Sequence, residues 1–227
     1  MKFLKWRLER KFQKTSFAQC GEDLIVAFIL ETLGISTPRY VDIGAFHPVH
    51  FSNTYLFYRG GSTGVCVEPD AELHALHRRH RPRDICLNAG VGPKGGKATF
   101  FKMSTPTLST FSPEEAARYE ESGKQRITET SLLPLIPINS LLADHAGGST
   151  DFLSLDTEGF ELAILKSLSF DQFRPRVMCI ETLTYDERKE ERKLEEVIDY
   201  VKSQGYLAFA DTFINTIFVE ATAWRSR

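Results

Sequence analysis

The turn after the first strand-like run lacks the G-x-G-x-x-G pattern with which a dinucleotide site brings backbone N–H groups against a pyrophosphate. After the apolar run Tyr40-Val41-Asp42-Ile43, Gly44 is followed by Ala45, Phe46, His47 and Pro48, so one glycine stands where three are wanted and phosphate cradling is disfavoured. No apolar stretch approaches the ~18 residues of a bilayer span, and no secretory signal is evident, so a cytoplasmic location is expected. Cysteine is scarce: Cys20, Cys66, Cys86 and Cys179 show no C-x-x-C spacing, and the last three sit in apolar, strand-like runs. They read as small core residues in a reducing compartment rather than as zinc ligands or disulfides, and no metal-ligand set is predicted from them. An excess of charge of either sign is missing too. A net charge of -2 over 227 residues gives no sign of a nucleic-acid partner.

What is present is a set of acids at the ends of apolar runs. Asp42-Ile43-Gly44 closes one such run and Gly64-Val65-Cys66-Val67 closes at Glu68. Two parallel strands then offer two acids on one edge, and an acid about twenty residues beyond a glycine turn is placed to bind a ribose diol. A carrier with ribose, adenine and a sulfonium cation but no phosphate suits such a rim. S-adenosylmethionine is that carrier. The plainer reading is that Asp42 caps the next helix and Glu68 is a solvated strand end.

Alternation of the two periods predicts helices over 19–33 (Leu24, Ile25, Phe28, Ile29 and Leu33 on one face), through Tyr58 after the cap Ser52-Asn53-Thr54, 71–80 as an outer helix, through Leu168 after Thr157-Glu158-Gly159, and 187–204. Strands are predicted at 40–43, 64–67, 84–87, 151–156 and 177–180, ending in acids at Asp156 and Glu181 in the last two. Two closing strands, 206–210 and 213–219, are too close for a helical crossover and must form an antiparallel hairpin. The stretch 92–145 loosens into loop composition with short strands near 98–102 and 131–138 and a polar helix at 113–121, and is expected to be a substrate-facing insert. Before it all, residues 1–15 form a basic leader in which Leu4, Leu8 and Phe12 make one stripe among Lys2, Lys5, Arg7, Arg10, Lys11 and Lys14. That is the pattern of a segment lying on an anionic membrane surface, with a solvated leader as the bland alternative.

From residue 16 to residue 220 the chain resembles the FkbM-type methyltransferases, a branch of the class I S-adenosylmethionine-dependent fold. The resemblance rests on Gln19-Cys20-Gly21-Glu22-Asp23, Val41-Asp42-Ile43-Gly44-Ala45-Phe46-His47-Pro48, Ser52-Asn53-Thr54, Val67-Glu68-Pro69, Ser109-Thr110 and the run from Asp151 through Asp156-Thr157-Glu158-Gly159. It implies one methyltransferase domain over 16–227, an α/β Rossmann-like architecture and a seven-stranded, mostly parallel sheet of order 3-2-1-4-5-7-6. It further implies O-methylation of a hydroxyl on a sugar, a glycan or a related small molecule. Glu68 is then expected to accept the ribose hydroxyls, Asp42 and Gly44 to line the methionine end, Asn88 and Ala89 to meet adenine, and Gln19 and Asn53 to contact the cofactor from the roof. A hydroxyl nucleophile needs a base within hydrogen-bond reach. Asp156 is preferred because the fourth strand's end faces the methyl group in this fold; it also counts among the cofactor contacts. His47, Glu158 and Glu181 are the other candidates, with Glu158 as a helix cap and His47 as a packed turn residue for alternatives.

Other readings stand beside this one. Asp156 and Glu181 could share a Mg²⁺, although Thr182 sits where a third oxygen ligand is usual. A catalytically idle scaffold could keep the fold and attach to membranes through the leader, and a nicotinamide oxidoreductase could use the same sheet edge. No isolated apolar stripe marks a subunit interface.

Overall fold

The apolar runs that end in acids fold side by side as parallel strands. The computed structural model describes residues 12–184 and 191–227. Strands β1 (Tyr40–Ile43), β2 (Gly64–Val67), β3 (Ile85–Leu87), β7 (Phe152–Leu155) and β8 (Val177–Glu181) run parallel, and the hairpin β9 (Tyr206–Asp211) and β10 (Asn215–Glu220) closes the sheet against β8. The order is β3-β2-β1-β7-β8-β10-β9. Counting only these seven strands, that is the order 3-2-1-4-5-7-6 implied by the resemblance.

Helices cover both faces, which is why β1, β7 and β8 are buried at every residue. The pleat sorts their side chains. Val41, Ile43, Leu153, Leu155, Met178 and Ile180 face one core, which includes α5 (Ile138–Asp144), α6 (Glu161–Ser167) and α7 (Glu195–Ser203). Tyr40, Phe152, Cys179, Ile217 and Val219 face the other, against α1 (Glu22–Thr32) and α2 (Tyr55–Arg59). Cys66 and Cys179 are buried as free thiols, Cys86 is half-buried, and Cys20 is exposed.

Between β3 and α5 the chain builds a second, three-stranded sheet where the sequence suggests mostly loop. Strand β6 (Ile127–Pro137) lies between β4 (Gly90–Gly92) and the antiparallel β5 (Gly96–Met103). Helix α4 (Pro113–Glu121) joins it through a small core of Met103, Leu108, Ala116 and Tyr119. One face of β6 is solvated, so its polar residues and prolines disguise a long strand as loop.

Three other expectations are corrected. On α1 the buried face is Val26, Ile29 and Leu30, while Phe28 is half exposed and leans on Phe209 at a ring distance of 6.3 Å. Helix α3 (Ala71–His80) is not wholly an outer one, because His77 and the following Arg81 are fully buried. Helix α7 starts at Glu195, since a Leu183–Lys193 bridge and the Leu194 N–H to Thr182 carbonyl bond hold the preceding segment extended; residues 187–190 of the expected helix lie outside the described residues, as do 1–11 of the leader. No helix among the described residues is long and apolar enough to cross a membrane.

Candidate functional site

A cavity of about 400 Å³ opens at the carboxyl ends of β1, β2, β7 and β8, within the size range of small-molecule pockets. Gly44 makes the approach possible. Its φ is +76°, and a Cβ there would lie 1.7 Å from the Asp156 backbone oxygen, so the turn after β1 can press against the end of β7 only as glycine. The Gly44 and Ala45 N–H groups both donate to the Val67 carbonyl, and the Asp156 N–H donates to the Ile43 carbonyl, which locks three strand ends together.

Glu68 is buried on the cavity wall. One carboxylate oxygen accepts the Asp70 N–H at 2.7 Å and the other the Phe46 N–H at 2.8 Å, which leaves each oxygen further acceptor capacity. Burial pushes its pKa up to about 8 against the pull of those two bonds. Phe46 is in turn held at its carbonyl by the Nε2–H of His77, 2.9 Å away; burial and the Arg81 cation keep His77 neutral, with a pKa of about 4.

Asp42 also lines the cavity but points its carboxylate into the α2 layer. The Thr54 hydroxyl donates to it at 2.5 Å, and Arg81 donates to that hydroxyl at 3.0 Å. Burial raises the Asp42 pKa, with Arg81 and Thr54 opposing. Gln19, Asn53 and Ala89 line the cavity wall, and Asn53 donates to the Ser154 hydroxyl at 3.2 Å. Asn88 and His47 do not. The Asn88 amide donates to the Glu68 and Pro69 carbonyls, tying down the β2 end, and His47 Nδ1 accepts the N–H groups of Val49 and His50 in its own turn.

Asp156, Glu158 and Glu181 gather at the other end, with carboxylate oxygens within 4.8 Å of one another. Burial and the Glu161 charge push Asp156 up to about 7, and it shares a hydrogen bond with Glu181, which requires a proton on one of the two. Glu181 and Glu158 are raised well above the carboxylate range by burial and by their acidic neighbours. Glu158 does not cap α6. The α6 N-terminus has no side-chain cap; Glu161, its first residue, instead ties down the preceding turn by accepting the Thr157 N–H and hydroxyl and the Gly159 N–H. Glu158 instead adopts a left-handed φ of +53°, held by the Tyr119 hydroxyl on its carboxylate at 2.7 Å and the Thr110 hydroxyl on its carbonyl at 2.8 Å. Tyr119 and Thr110 escaped the sequence reading as functional residues; Ser109-Thr110 registered only as a motif without a role. Among the described residues, the non-glycine positions of positive φ are Phe46, Phe51, Glu158 and Phe213, and all of them line this cavity. Such conformations cost about 1–3 kcal/mol each and persist where surrounding structure enforces them.

The sequence pattern of the methyltransferase FkbM domain matches residues 42–208, a span that takes in the end of β1, Glu68, the second sheet and all three clustered acids. The chain belongs to the FkbM methyltransferase family. Methyltransferase FkbM from Methylobacillus flagellatus KT is 16% identical over 81% of this chain and 44% of its own, with a TM-score of 0.48, so this chain spans less than half of that protein's length. The O-methyltransferase from Bacillus cereus, in complex with SAH, is 10% identical over 96% of this chain and 87% of its own, with a TM-score of 0.46. No curated protein matches. The cofactor of an FkbM methyltransferase is S-adenosylmethionine.

The raised acids of this FkbM protein make its stability depend on pH in a definite direction. Glu68 and Asp156 hold their protons up to about 8 and about 7, whereas in the unfolded chain they release them near ~4. The folded state therefore binds more protons between these values, and stability present at low pH is lost as pH rises through the folded pKa values. The ligand-free protein is expected to melt about 5 °C lower at about pH 8 than at about pH 5.5. A melting temperature that rises over that range would contradict the assignment.

Proposed function

We propose that the protein transfers the methyl group of S-adenosylmethionine to a hydroxyl of a sugar, glycan or related metabolite, with Asp156 as the base. The observation that carries this reading is the acid cluster of Asp156, Glu158 and Glu181 in one cavity with Glu68. The cavity suits the cofactor: Gly44 lets the β1 turn and the β7 end meet beside it, Glu68 retains acceptor capacity for a ribose diol, and a cation beside the acids would favour their ionised form. When bound, the sulfonium supplies an electrophilic methyl carbon. The connections around the second sheet supply the acceptor side, since Thr105 to Ser109, Phe111 and Gln125 line the same cavity.

With the cofactor bound, Asp156 would take the proton that the acceptor hydroxyl loses as its oxygen is methylated in exchange for the thioether leaving group. Holding the hydroxyl in line with the methyl supplies much of the rate, and the base adds typically 10²–10⁴-fold. A carboxylate with a pKa of about 7 is matched to that task at neutral pH, unlike a solvated one near ~4. Asp156→Asn is therefore expected to lower kcat about 10²–10⁴-fold in a labelled-methyl assay. In the parent, kcat/KM, which reports the free enzyme, should rise with pH through about 7. If the asparagine variant turns over as fast as the parent, Asp156 is not the base.

A second reading is favoured by the same three acids. Thr182 is turned away, bonded to Thr216 at 2.7 Å and to Lys193 at 3.0 Å, and Glu158 supplies the third carboxylate in its stead. Asp156, Glu158 and Glu181 would hold a divalent cation through oxygen ligands, and that cation would lower the acceptor's pKa. Loss of turnover in chelator, restored by Mg²⁺, selects this reading; indifference to chelator removes it.

A further inference from the structure

Two phenylalanines at the mouth of the cavity have no part in the fold's cores. Phe51, on the connection from β1 to α2, is 55% exposed and Phe213, in the β9–β10 turn, is 62% exposed, yet both line the cavity. Both are held in left-handed backbone, at φ +56° and +76°, where a bulky side chain is disfavoured and glycine is the ordinary choice. Neither belongs to any of the buried clusters. Their placement is nonetheless fixed: the Phe51 ring stacks on Phe46 at 6.4 Å, and the Phe213 N–H donates to Asp211, itself paired with Lys193 at 2.8 Å. Exposed aromatic rings held in strained backbone at a pocket mouth point to a ligand that packs on them.

Charge narrows what that ligand can be. The described lining holds Asp42, Glu68, Asp70, Asp156, Glu158, Glu181 and Glu191, and no lysine, arginine or histidine. A phosphate or carboxylate on the acceptor would enter a low-dielectric, acid-lined space without a described cation to pair with, a costly desolvation. A cationic acceptor would meet the sulfonium at the reacting end. A neutral ring bearing hydroxyls on its edge and C–H groups on its faces avoids both penalties, and its faces suit aromatic packing.

We infer, resting on the methyl-transfer reading above, that the acceptor is an uncharged pyranose-type ring packed between Phe51 and Phe213, and that phosphorylated or carboxylated rings are rejected.

The test uses the full chain in a labelled-methyl assay with matched acceptors: a panel of neutral methyl hexopyranosides, their 6-phosphates and the corresponding uronic acids. At least one neutral glycoside should be methylated, with its charged counterparts at least tenfold lower in kcat/KM. Phe51→Ala and Phe213→Ala should each raise the KM for that glycoside about five- to tenfold, while calorimetry shows S-adenosylmethionine affinity within about twofold of the parent. Calorimetry on the parent separates the two readings. Failure to bind S-adenosylmethionine sinks the methyl-transfer proposal and this inference with it. Binding accompanied by equal or better use of the phosphates or uronates, by no methylation of any neutral pyranoside, or by an unchanged KM in both phenylalanine variants overturns the inference alone.

Discussion

Gly44→Ala is expected to abolish S-adenosylmethionine binding and to lower the unfolding free energy by about 2–4 kcal/mol. A left-handed φ of +76° is a conformation that alanine adopts only at a cost of roughly 1–2 kcal/mol. The larger consequence is steric. The added methyl would lie 1.7 Å from the Asp156 oxygen and 2.9 Å from its carbonyl carbon, and both are backbone atoms that no rotamer change can move. Overpacking of that kind costs typically 1–3 kcal/mol. Relief requires the β1 turn and the β7 end to separate, which breaks the Asp156 to Ile43 bond and carries Asp156 away from the rim shared with Glu68. Gly61→Ala is the control, because Gly61 also has positive φ, +103°, but nothing lies within 4 Å of the added carbon. It should lose only the conformational contribution and bind the cofactor as the parent does. Urea denaturation with an unchanged slope measures the first effect and calorimetry the second. Unaltered cofactor affinity in Gly44→Ala would remove this turn from the binding site.

Arg81→Met should cost more, about 3–5 kcal/mol, the usual penalty for leaving one partner of a buried ion pair alone. The Arg81 side chain is 0% exposed and that of Asp84 1%, with 2.7 Å between them. Asp84 also accepts the Tyr40 hydroxyl and the Gly64 N–H, so without the guanidinium its carboxyl group is left buried in a network built around a cation. The Tyr40 and Tyr58 rings, 5.4 and 5.3 Å from the guanidinium carbon, lose their contact as well. The loss reaches the site through Thr54. With Arg81 gone, the chief group that pulls the Asp42 pKa down is gone, so Asp42 takes up a proton more readily and cofactor affinity at neutral pH falls. Adding Asp84→Leu to Arg81→Met should recover part of the stability but not the affinity, and a double-mutant cycle separates the two. A destabilisation under about 1 kcal/mol would show that the pair is a bystander.

The main sheet was legible because its strands are short apolar runs cut off by acids, and a parallel strand buried on both faces needs nothing else. Helices α3 and α4 were legible to the residue because Asp70 and Ser112 cap them, each accepting N–H groups of the first turn. Gly44, Glu68 and the acids of β7 and β8 followed from the same strand ends. What escaped reading depends on partners distant in sequence. His77 and Arg81 look like surface residues of a basic helix until the Phe46 carbonyl and Asp84 are brought to them. Asn88 looks like a ligand contact until two local carbonyls claim its amide. The second sheet exposes one face of β6, so its hydrophobic signal is halved and its prolines read as breaks. Glu158 carries no mark in its own neighbourhood of the tyrosine 39 residues earlier that orients it.

That tether has a consequence for engineering. Because Tyr119 and Thr110 on the insert grip Glu158 on the turn after β7, the two parts of the pocket are not independent modules. A chimaera that grafts another family member's insert onto this scaffold will inherit the donor's acceptor choice only if both hydroxyls travel with the graft; otherwise the acid swings free and turnover falls for every acceptor alike.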